Sequence, residues 1–185
     1  MVLIKIKEAI EKINLLSSKK PIKVISHFDT DGITSAAIFA RALDRWEKKF
    51  SVQIVKNLEE SIIEKLPEDH ILIFLDLASG SLDYLKKKKT EIFIFDHHEI
   101  VQQIPENVFM VNSTLGGAEP MSSAAICYMF ARELSFQNKD LASLAVIGMI
   151  GDLFEKNIGK LFSEIIKDSD TVIKKGLIIY PSTRP

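Results

Sequence analysis

Hydrophobic and polar residues follow two different periods along this chain, and the two periods alternate. Five short runs are continuously apolar and rich in β-branched or aromatic residues, which is typical of buried strands. These predicted strands cover residues 22–26, 52–55, 71–76, 92–96 and 108–111. Elsewhere apolar residues recur every three or four positions, which indicates amphipathic helices. The predicted helices cover residues 4–16, 33–46, 58–66 and 81–88, and two or three more fall within 121–168.

The order of these elements predicts an α/β fold. Strands that alternate with helices are typical of a mainly parallel sheet, here of five strands, in the doubly wound class. Continuous apolar strands indicate that helices cover both faces of that sheet. The C-terminal part of the chain is predicted to be helical. No internal repeat or low-complexity linker divides residues 1–185, so we predict a single domain.

Composition narrows the classes of function. The 185 residues include 24 Lys and Arg against 25 Asp and Glu, and the formal net charge is −1. This balance argues against binding of nucleic acid through bulk positive charge alone. Cys127 is the single cysteine, which excludes an internal disulfide and a thiolate zinc cluster. The sequence shows no signal peptide and no membrane-spanning run, so we expect a cytoplasmic protein with no membrane partner.

Acidic and imidazole side chains fall where the apolar runs end. They follow the first, third and fourth predicted strands, and one more acid follows the apolar run AVIGMIG. The residues concerned are His27, Asp29, Asp31, Asp76, Asp96, His97, His98 and Asp152. Ligands of parallel α/β sheets bind outside the carboxyl ends of the strands. We therefore expect these side chains to converge on one crevice.

Such a cluster points to divalent metal ions. Several carboxylates at the edge of an apolar core repel one another unless cations lie between them, and carboxylate with imidazole suits manganese, magnesium, iron or zinc. At least six ligands favour two ions that share one carboxylate, the arrangement that hydrolyses phosphate esters and anhydrides. Each feature alone has a structural alternative: a turn at Asp31-Gly32, packed or surface imidazoles at His97-His98, and helix caps at Asp76 or Asp152. Their joint occurrence favours the metal site.

The same residues carry a resemblance to a known family. His27-x-Asp29-x-Asp31-Gly32-x-x-Ser35-Ala36, the later Asp76, the Asp96-His97-His98 triplet and Gly151-Asp152 resemble, in order, the four motifs of the DHH phosphoesterase family, which includes RecJ exonucleases. The motifs extend from residue 27 to residue 152. The segment SHFDTDGITSAA is most similar to archaeal RecJ-like proteins, among them a nuclease that associates with the GINS complex.

The resemblance implies a Rossmann-like sheet and a site for two divalent metal ions, with manganese favoured and magnesium as the alternative. It implies that Asp76 bridges the two ions. The remaining ligands implied are His27 and Asp29 on one ion, and Asp31, His97 and Asp152 on the other. The resemblance further implies that His98 donates to the scissile phosphate during catalysis, and that Asp96 orients an imidazole.

Small and polar residues after the fifth predicted strand are candidates for holding the substrate phosphate. They are Asn112, Gly116, Gly117, Ser122 and Ser123. Backbone N–H groups at the start of a helix can bind a phosphate, and Ser122 and Ser123 open a predicted helix. A capping serine and close helix packing explain the two serines equally well.

We therefore expect a RecJ-like phosphodiesterase, a single-strand-specific exonuclease that degrades DNA or RNA from 5′ to 3′. One alternative is a DHH hydrolase of small substrates, such as short oligonucleotides or cyclic dinucleotides. Another is an interaction module of a replication complex, with GINS and the replicative helicase as partners. Family members normally continue into a DHH-associated domain, and this chain stops before one, so we expect that domain to be supplied in cis or in trans.

Overall fold

A computed structural model describes residues 2–115, 119–153 and 159–173 of the chain. Five strands form one sheet: β1 Ile22–His27, β2 Phe50–Val55, β3 Ile71–Leu75, β4 Ile92–Asp96 and β5 Val108–Asn112. Their order in the sheet is β2-β1-β3-β4-β5, and every neighbouring pair is parallel. The predicted five-stranded parallel sheet is confirmed, with each strand boundary within two residues of its predicted position.

Seven α-helices accompany the sheet in the described residues. They are α1 Val2–Ser17, α2 Thr30–Arg45, α3 Glu60–Glu64, α4 Leu82–Leu85, α5 Ser123–Leu134, α6 Ala142–Gly151 and α7 Lys160–Ile173, with a 3₁₀ turn at Phe136–Leu141 between α5 and α6. The short helices α3 and α4 are about half as long as predicted. A single turn suffices there, because α3 buries only Ile63 and α4 only Leu82 and Leu85.

Helices cover both faces of the sheet, as the continuous apolar strands predicted. One large apolar cluster joins the sheet to α1, α2, α5, α6 and α7, and a smaller one joins the other face to α3 and α4. All five side chains of β3 and of β4 are buried, since these two strands lie inside the sheet and are packed on both sides. Phe39 of α2 stacks on Phe130 of α5 at 4.6 Å between ring centroids, which ties these two helices together over the sheet.

Helix α2 begins three residues earlier than the hydrophobic period predicted. Asp29 caps it, because its carboxylate accepts a hydrogen bond from the backbone N–H of Gly32 at 2.9 Å. A side chain on Gly32 would overlap the carbonyl group of His27, so the turn from β1 into α2 requires glycine. The acidic segment is therefore divided between a helix cap and the first helical turn, which contains Asp31.

The order in which the chain adds strands to the sheet changes direction after β2. From β1 it moves outward to β2, and it then returns to place β3 on the other side of β1. The carboxyl ends of β1 and β3 thus form the switch point at which doubly wound folds bind their ligands. Among the helices of the described residues, none has both the length and the apolarity needed to cross a bilayer.

Candidate metal centre

The switch point holds the acidic and imidazole side chains that the sequence placed at run ends. His27 is the last residue of β1, Asp76 directly follows β3, and Asp96 is the last residue of β4. Asp152 arrives differently, since the apolar run before it is helix α6 and Asp152 lies at that helix's C-terminal end. Asp76 has a φ of 58°, in the left-handed region that non-glycine residues rarely occupy. Strain of this kind clusters at functional sites.

His27, Asp29 and Asp76 form the first of three adjoining groups of potential metal ligands, with their ligand atoms all within 4.8 Å of one another. The Nδ1 atom of His27 lies 2.8 Å from a carboxylate oxygen of Asp29 and 3.5 Å from one of Asp76. Its Nε2 atom lies 3.1 Å from the carbonyl oxygen of Lys56, to which it donates when it carries the proton. That tautomer leaves the Nδ1 lone pair facing two carboxylates, as in metal-binding histidines.

The Nδ1 atom of His27 is the observation that tests whether a cation fits here. It is buried and makes no hydrogen bond, although two carboxylates are close. A buried nitrogen without a hydrogen bond is costly unless another partner takes its lone pair. One nitrogen and carboxylate oxygens form a donor set that suits a divalent cation such as Mn²⁺. The residues of this group therefore fit the metal that the sequence predicted.

Asp31, Asp76, His97 and Asp152 form the second group, again with ligand atoms within 4.8 Å of one another. The Nε2 atom of His97 lies 2.9 Å from Asp152, 3.3 Å from Asp76 and 3.8 Å from Asp31. Asp76 belongs to both groups. Its position after the central strand β3 places it between ligands carried by β1 and ligands carried by β4 and α6.

The N-terminus of helix α5 holds two of the carboxylates in place. Asp31 accepts hydrogen bonds from the backbone N–H groups of Ser123 at 2.7 Å and Ala124 at 3.0 Å. The hydroxyl group of Ser123 donates to Asp76 at 3.0 Å. The positive end of the helix dipole thus faces two negative side chains that the apolar core surrounds.

Burial and mutual repulsion shift the pKa values of this cluster. Burial raises the pKa of Asp31 to about 7, the carboxylate of Asp76 adds to the rise, and the Ala124 amide opposes it. Burial also raises the pKa of Asp76, against the effect of His97. For His97, burial favours the neutral ring, but the carboxylates of Asp152 and Asp76 outweigh it and raise its pKa to about 10. The cluster therefore retains protons where a cation would otherwise supply positive charge.

Asp96 and His98 form a hydrogen-bonded pair, and with Asp76 and His97 they make a third group whose ligand atoms lie within 4.8 Å of one another. A carboxylate oxygen of Asp96 lies 2.7 Å from Nδ1 of His98 and accepts from the backbone N–H of His97 at 2.8 Å. Burial would raise the pKa of Asp96, but the hydrogen bond to His98, the charge of that ring, a hydrogen bond with Ser79 and the backbone amide of His97 lower it to about 2. The same bond raises the pKa of His98. The side chain of His98 is 56% exposed, so this imidazole is held by Asp96 and still open to a ligand.

The five candidates for phosphate binding have different surroundings. Asn112 is buried, and its amide donates to the carbonyl of His98 at 2.9 Å and accepts from the backbone of Thr114 at 2.7 Å. Ser122 caps α5 by accepting a hydrogen bond from the N–H of Ala125. The N–H groups of Ser123 and Ala124 donate to Asp31. The structure thus gives these donors partners within the protein, and phosphate binding here stays a prediction. Gly116 and Gly117 lie outside the described residues.

A cavity of about 270 Å³ opens beside the metal groups. It is lined by His27, Asp76, Asp96 and His98, by the loop 77–81 after β3 and by the loop 56–58 after β2. Two larger openings, of about 360 and 490 Å³, lie at the amino ends of β4 and β5, on the other edge of the sheet from the carboxylates. The smaller cavity is therefore the one that belongs to the candidate site.

Several supporting groups were missed by reasoning from the sequence. The carbonyl of Lys56 contacts His27, and the amide of Ser79 donates to Asp96. Ser123 was predicted only as a phosphate ligand, and its hydrogen bond to Asp76 was not foreseen. Lys56 and Ser79 reach the site from loops after β2 and β3, and neither loop carries a chemical motif. The signal available in the sequence was only their place just after a predicted strand.

Comparison with known proteins identifies the family of this domain. The N-terminal domain of the DHH family matches residues 21–149. An uncharacterised protein of Methanocaldococcus jannaschii is 34% identical over 160 residues, which cover 80% of this chain and 36% of that protein. A protein of Bacillus subtilis, named as a candidate prophage-derived single-strand DNA-specific exonuclease, is 28% identical over 152 residues, or 74% of this chain and 26% of that protein. The chain thus spans about a third or less of these relatives.

A solved structure has the same fold. RecJ from Thermus thermophilus, in complex with Mn²⁺, superimposes with a TM-score of 0.76 over 94% of this chain and 28% of that protein, at 19% sequence identity. At this level of identity the likeness establishes the fold alone. It agrees with the Rossmann-like α/β architecture that the motifs implied.

Proposed function

This chain belongs to the DHH family, and from that membership we propose that it is a metal-dependent phosphodiesterase that removes nucleotides from the 5′ end of single-stranded DNA or RNA. The observation that carries the proposal is the position of Asp76, whose carboxylate belongs to two adjoining groups of metal ligands. Shared carboxylates of this kind hold paired cations in enzymes that cleave phosphate esters.

Two divalent ions are part of the proposal, with manganese favoured. One would be held by His27, Asp29 and Asp76, and the other by Asp31, Asp76, His97 and Asp152. Imidazole ligands favour manganese over magnesium, which prefers oxygen ligands and water. When bound, such ions supply Lewis acidity, which offsets negative charge on the phosphate and acidifies water.

His98 is proposed to contact the scissile phosphate. Its hydrogen bond to Asp96 uses Nδ1 and fixes the ring, so Nε2 is the nitrogen available to a substrate. The hydrogen bond to Asp96 raises the pKa of His98, which favours the protonated ring whose Nε2–H can donate to a substrate. Its donation becomes stronger as negative charge grows on the phosphate oxygens, which favours the transition state over the bound substrate.

The choice of single-stranded nucleic acid rests on relatives. The Bacillus subtilis relative is named for single-strand DNA, and the proposal extends that substrate class to this domain. The cavity of about 270 Å³ favours a second candidate, the hydrolysis of very short oligonucleotides or cyclic dinucleotides, because it is near the lower limit for small-ligand pockets. Association with GINS or a replicative helicase stays a prediction.

The experiment that tests the proposal is digestion of single-stranded DNA and RNA, labelled separately at each end, with Mn²⁺, with Mg²⁺ and with a chelator. We expect metal-dependent loss of nucleotides from the 5′ end. Asp76→Ala should lower the rate by more than about a thousandfold, because it removes the carboxylate common to both ligand groups. Initial rates from denaturing gels give both results.

Asp44→Ala is the matched control for this digestion. Asp44 is an exposed aspartate of α2, about 20 Å along the helix from the metal centre, and its ion pair among the described residues is with Arg41. The Asp44→Ala variant should cleave the strands at the rate of the wild type. Cleavage of dinucleotides but not of longer strands would favour the small-substrate candidate. A wild-type protein that cleaves neither with any divalent metal would contradict both.

A further inference from the structure

We infer that Phe28 and Lys56 form a subsite for nucleic acid at the rim of the metal centre, in which Phe28 stacks on a nucleobase and Lys56 binds a neighbouring phosphate. The inference rests on the proposed function and adds to it how the strand is gripped. Neither residue belongs to the groups of metal ligands. The sequence did not indicate an aromatic residue on which bases could stack, and the structure supplies one because Phe28 is exposed.

Phe28 lies between two proposed ligands and is nevertheless exposed. It is 47% accessible, while most phenylalanines of the described residues are buried. Its ring meets the ring of His27 edge to face, with 5.0 Å between centroids, so it lies directly against a proposed ligand. The ring is therefore within reach of a strand whose phosphate lies beside His27 and Asp29. Aromatic side chains in such positions stack on bases of every sequence.

Lys56 places an uncompensated positive charge beside that ring. Its ammonium nitrogen lies 5.9 Å from the centroid of Phe28, and its backbone carbonyl contacts His27. It forms no ion pair with any residue that the structure describes. A lysine that is free of carboxylates, next to a phosphate site, is suited to bind the backbone of a single strand.

Two other exposed aromatic residues differ from Phe28 in the lysine that lies above them. Tyr84 lies beneath Lys87, and Phe136 lies beneath Lys139. Both of those lysines are already neutralised, since Lys87 binds Glu60 at 2.6 Å and Lys139 binds Asp168 at 2.8 Å. Among these pairs of lysine and exposed aromatic ring, the pair at the metal centre is thus the one whose positive charge is available to a phosphate.

The test measures binding, so that it does not depend on cleavage. Fluorescence anisotropy compares an oligothymidylate with a wholly abasic strand of the same length and charge, in buffer with Ca²⁺ in place of Mn²⁺. The wild type should bind the thymidylate strand between about fivefold and a hundredfold more tightly, the range that base stacking supplies. Phe28→Leu keeps the apolar volume but lacks the ring, and it should lose most of this ratio while binding the abasic strand as before. Phe28→Trp should retain the ratio.

Lys56→Gln should weaken binding of both strands by the same factor and reduce the salt dependence by about one phosphate contact. Phe136→Leu is the matched control, because Phe136 is also an exposed phenylalanine with a lysine above its ring. Phe136 follows helix α5, about 18 Å or more from the end of that helix that lies at the metal centre. The substitution should leave both affinities unchanged.

Three results would overturn this inference: no binding of either strand, equal binding of both strands by the wild type, or an unchanged ratio in Phe28→Leu. Failure of the proposed function is a different result. If the wild type prefers the strand with bases but cleaves nothing with any divalent metal, the subsite stands and the hydrolysis does not. If cleavage is intact and Phe28→Leu behaves as the wild type, only the subsite is wrong.

Discussion

Adjacent histidines at the end of β4 have opposite environments. The side chain of His97 is 15% exposed and faces three carboxylates, while that of His98 is 56% exposed and is held by one. The two rings lie side by side, with 4.4 Å between their centroids, but Nε2 of His97 faces the carboxylate cluster whereas His98 lines the cavity. A pair that looks chemically equivalent in the sequence therefore has two roles available, ligand and donor.

This difference predicts different results from the same substitution. His98→Asn keeps a donor in place of Nδ1, and so keeps the bond to Asp96, but it lacks Nε2. We expect it to lower the rate of strand cleavage about a hundredfold to a thousandfold, as loss of a transition-state donor does. The rise in melting temperature caused by Mn²⁺ should stay as in the wild type.

His97→Asn is the comparison for that experiment. It removes the Nε2 atom that faces Asp31, Asp76 and Asp152, so the rise in melting temperature caused by Mn²⁺ should be reduced as well as the rate. The assignment of roles would be wrong if the two variants lost metal stabilisation equally.

Helices α2, α5 and α6 meet behind the metal centre at Gly148. A β-carbon on this residue would lie 2.5 Å from the side chains of Ala124 and Thr34 and 2.7 Å from a carboxylate oxygen of Asp31. These distances are too short for real contacts, so α6 approaches α2 and α5 this closely only with glycine. The close approach is what brings Asp152, at the end of α6, near His97.

Gly148→Ala should therefore destabilise the protein, although alanine is the better helix former by about 1 kcal/mol. Overpacking of a close contact typically costs about 1–3 kcal/mol, which corresponds to a fall in melting temperature of roughly 2–12 °C in a domain of this size. We also expect a loss of cleavage activity, because Asp31 is one of the displaced groups. Thermal melts and rate measurements on the same sample give both values.

Gly80→Ala is the control for steric effects. A β-carbon on Gly80 would meet no heavy atom within 4 Å, so the substitution should change the melting temperature by no more than about 2 °C. Stabilisation by Gly148→Ala would show that helix propensity outweighs packing at this junction.

The titrating side chains of the candidate metal centre make the stability of the whole folded protein depend on pH. Asp31 has a pKa of about 7 in the folded protein against an ordinary value of 3.8, so its contribution to stability is present below about pH 4 and is lost as the pH rises through 7. His97 has a pKa of about 10 against 6.5, so its contribution is present below about pH 6.5 and is lost as the pH rises through 10. Both pKa shifts therefore make the folded protein less stable as the pH rises.

We therefore predict that the metal-free protein loses stability continuously between about pH 4 and pH 10. Mn²⁺ binds the charged carboxylates and the neutral imidazole, so it competes with these protons and its stabilising effect should grow as the pH rises. At a concentration a hundredfold above the dissociation constant it should add about 2.7 kcal/mol, or roughly 5–11 °C in melting temperature. Melts with chelator and with Mn²⁺, from pH 4 to pH 9, measure this effect.

Asp76→Asn is the control for the effect of pH and Mn²⁺ on the melting temperature. It removes a charge from the buried cluster, so the metal-free variant should melt at or above the wild-type temperature at pH 8 and gain little from Mn²⁺. A wild-type protein whose metal-free stability increases between pH 5 and pH 9 would contradict the sign derived from Asp31 and His97.

The sequence by itself determined the fold class, and it predicted which residues meet at the candidate metal centre. Strand ends can be located from apolar runs alone, and in a parallel sheet all carboxyl ends share one edge, so acids at several strand ends must meet. This reasoning placed His27, Asp76 and Asp96 correctly without knowing the order of the strands. It also placed Asp31 and Asp152 at the site, although both lie on helices.

Tertiary structure alone decided which groups face one another. That Asp31 accepts from the N-terminus of α5, and that Lys56 contacts His27, depends on how elements distant in the chain pack. The exposure of Phe28 was equally hidden, because a single apolar residue between His27 and Asp29 has no period that indicates burial or exposure. Local patterns record which face of an element is apolar, whereas contacts between loops depend on the whole packing of the chain.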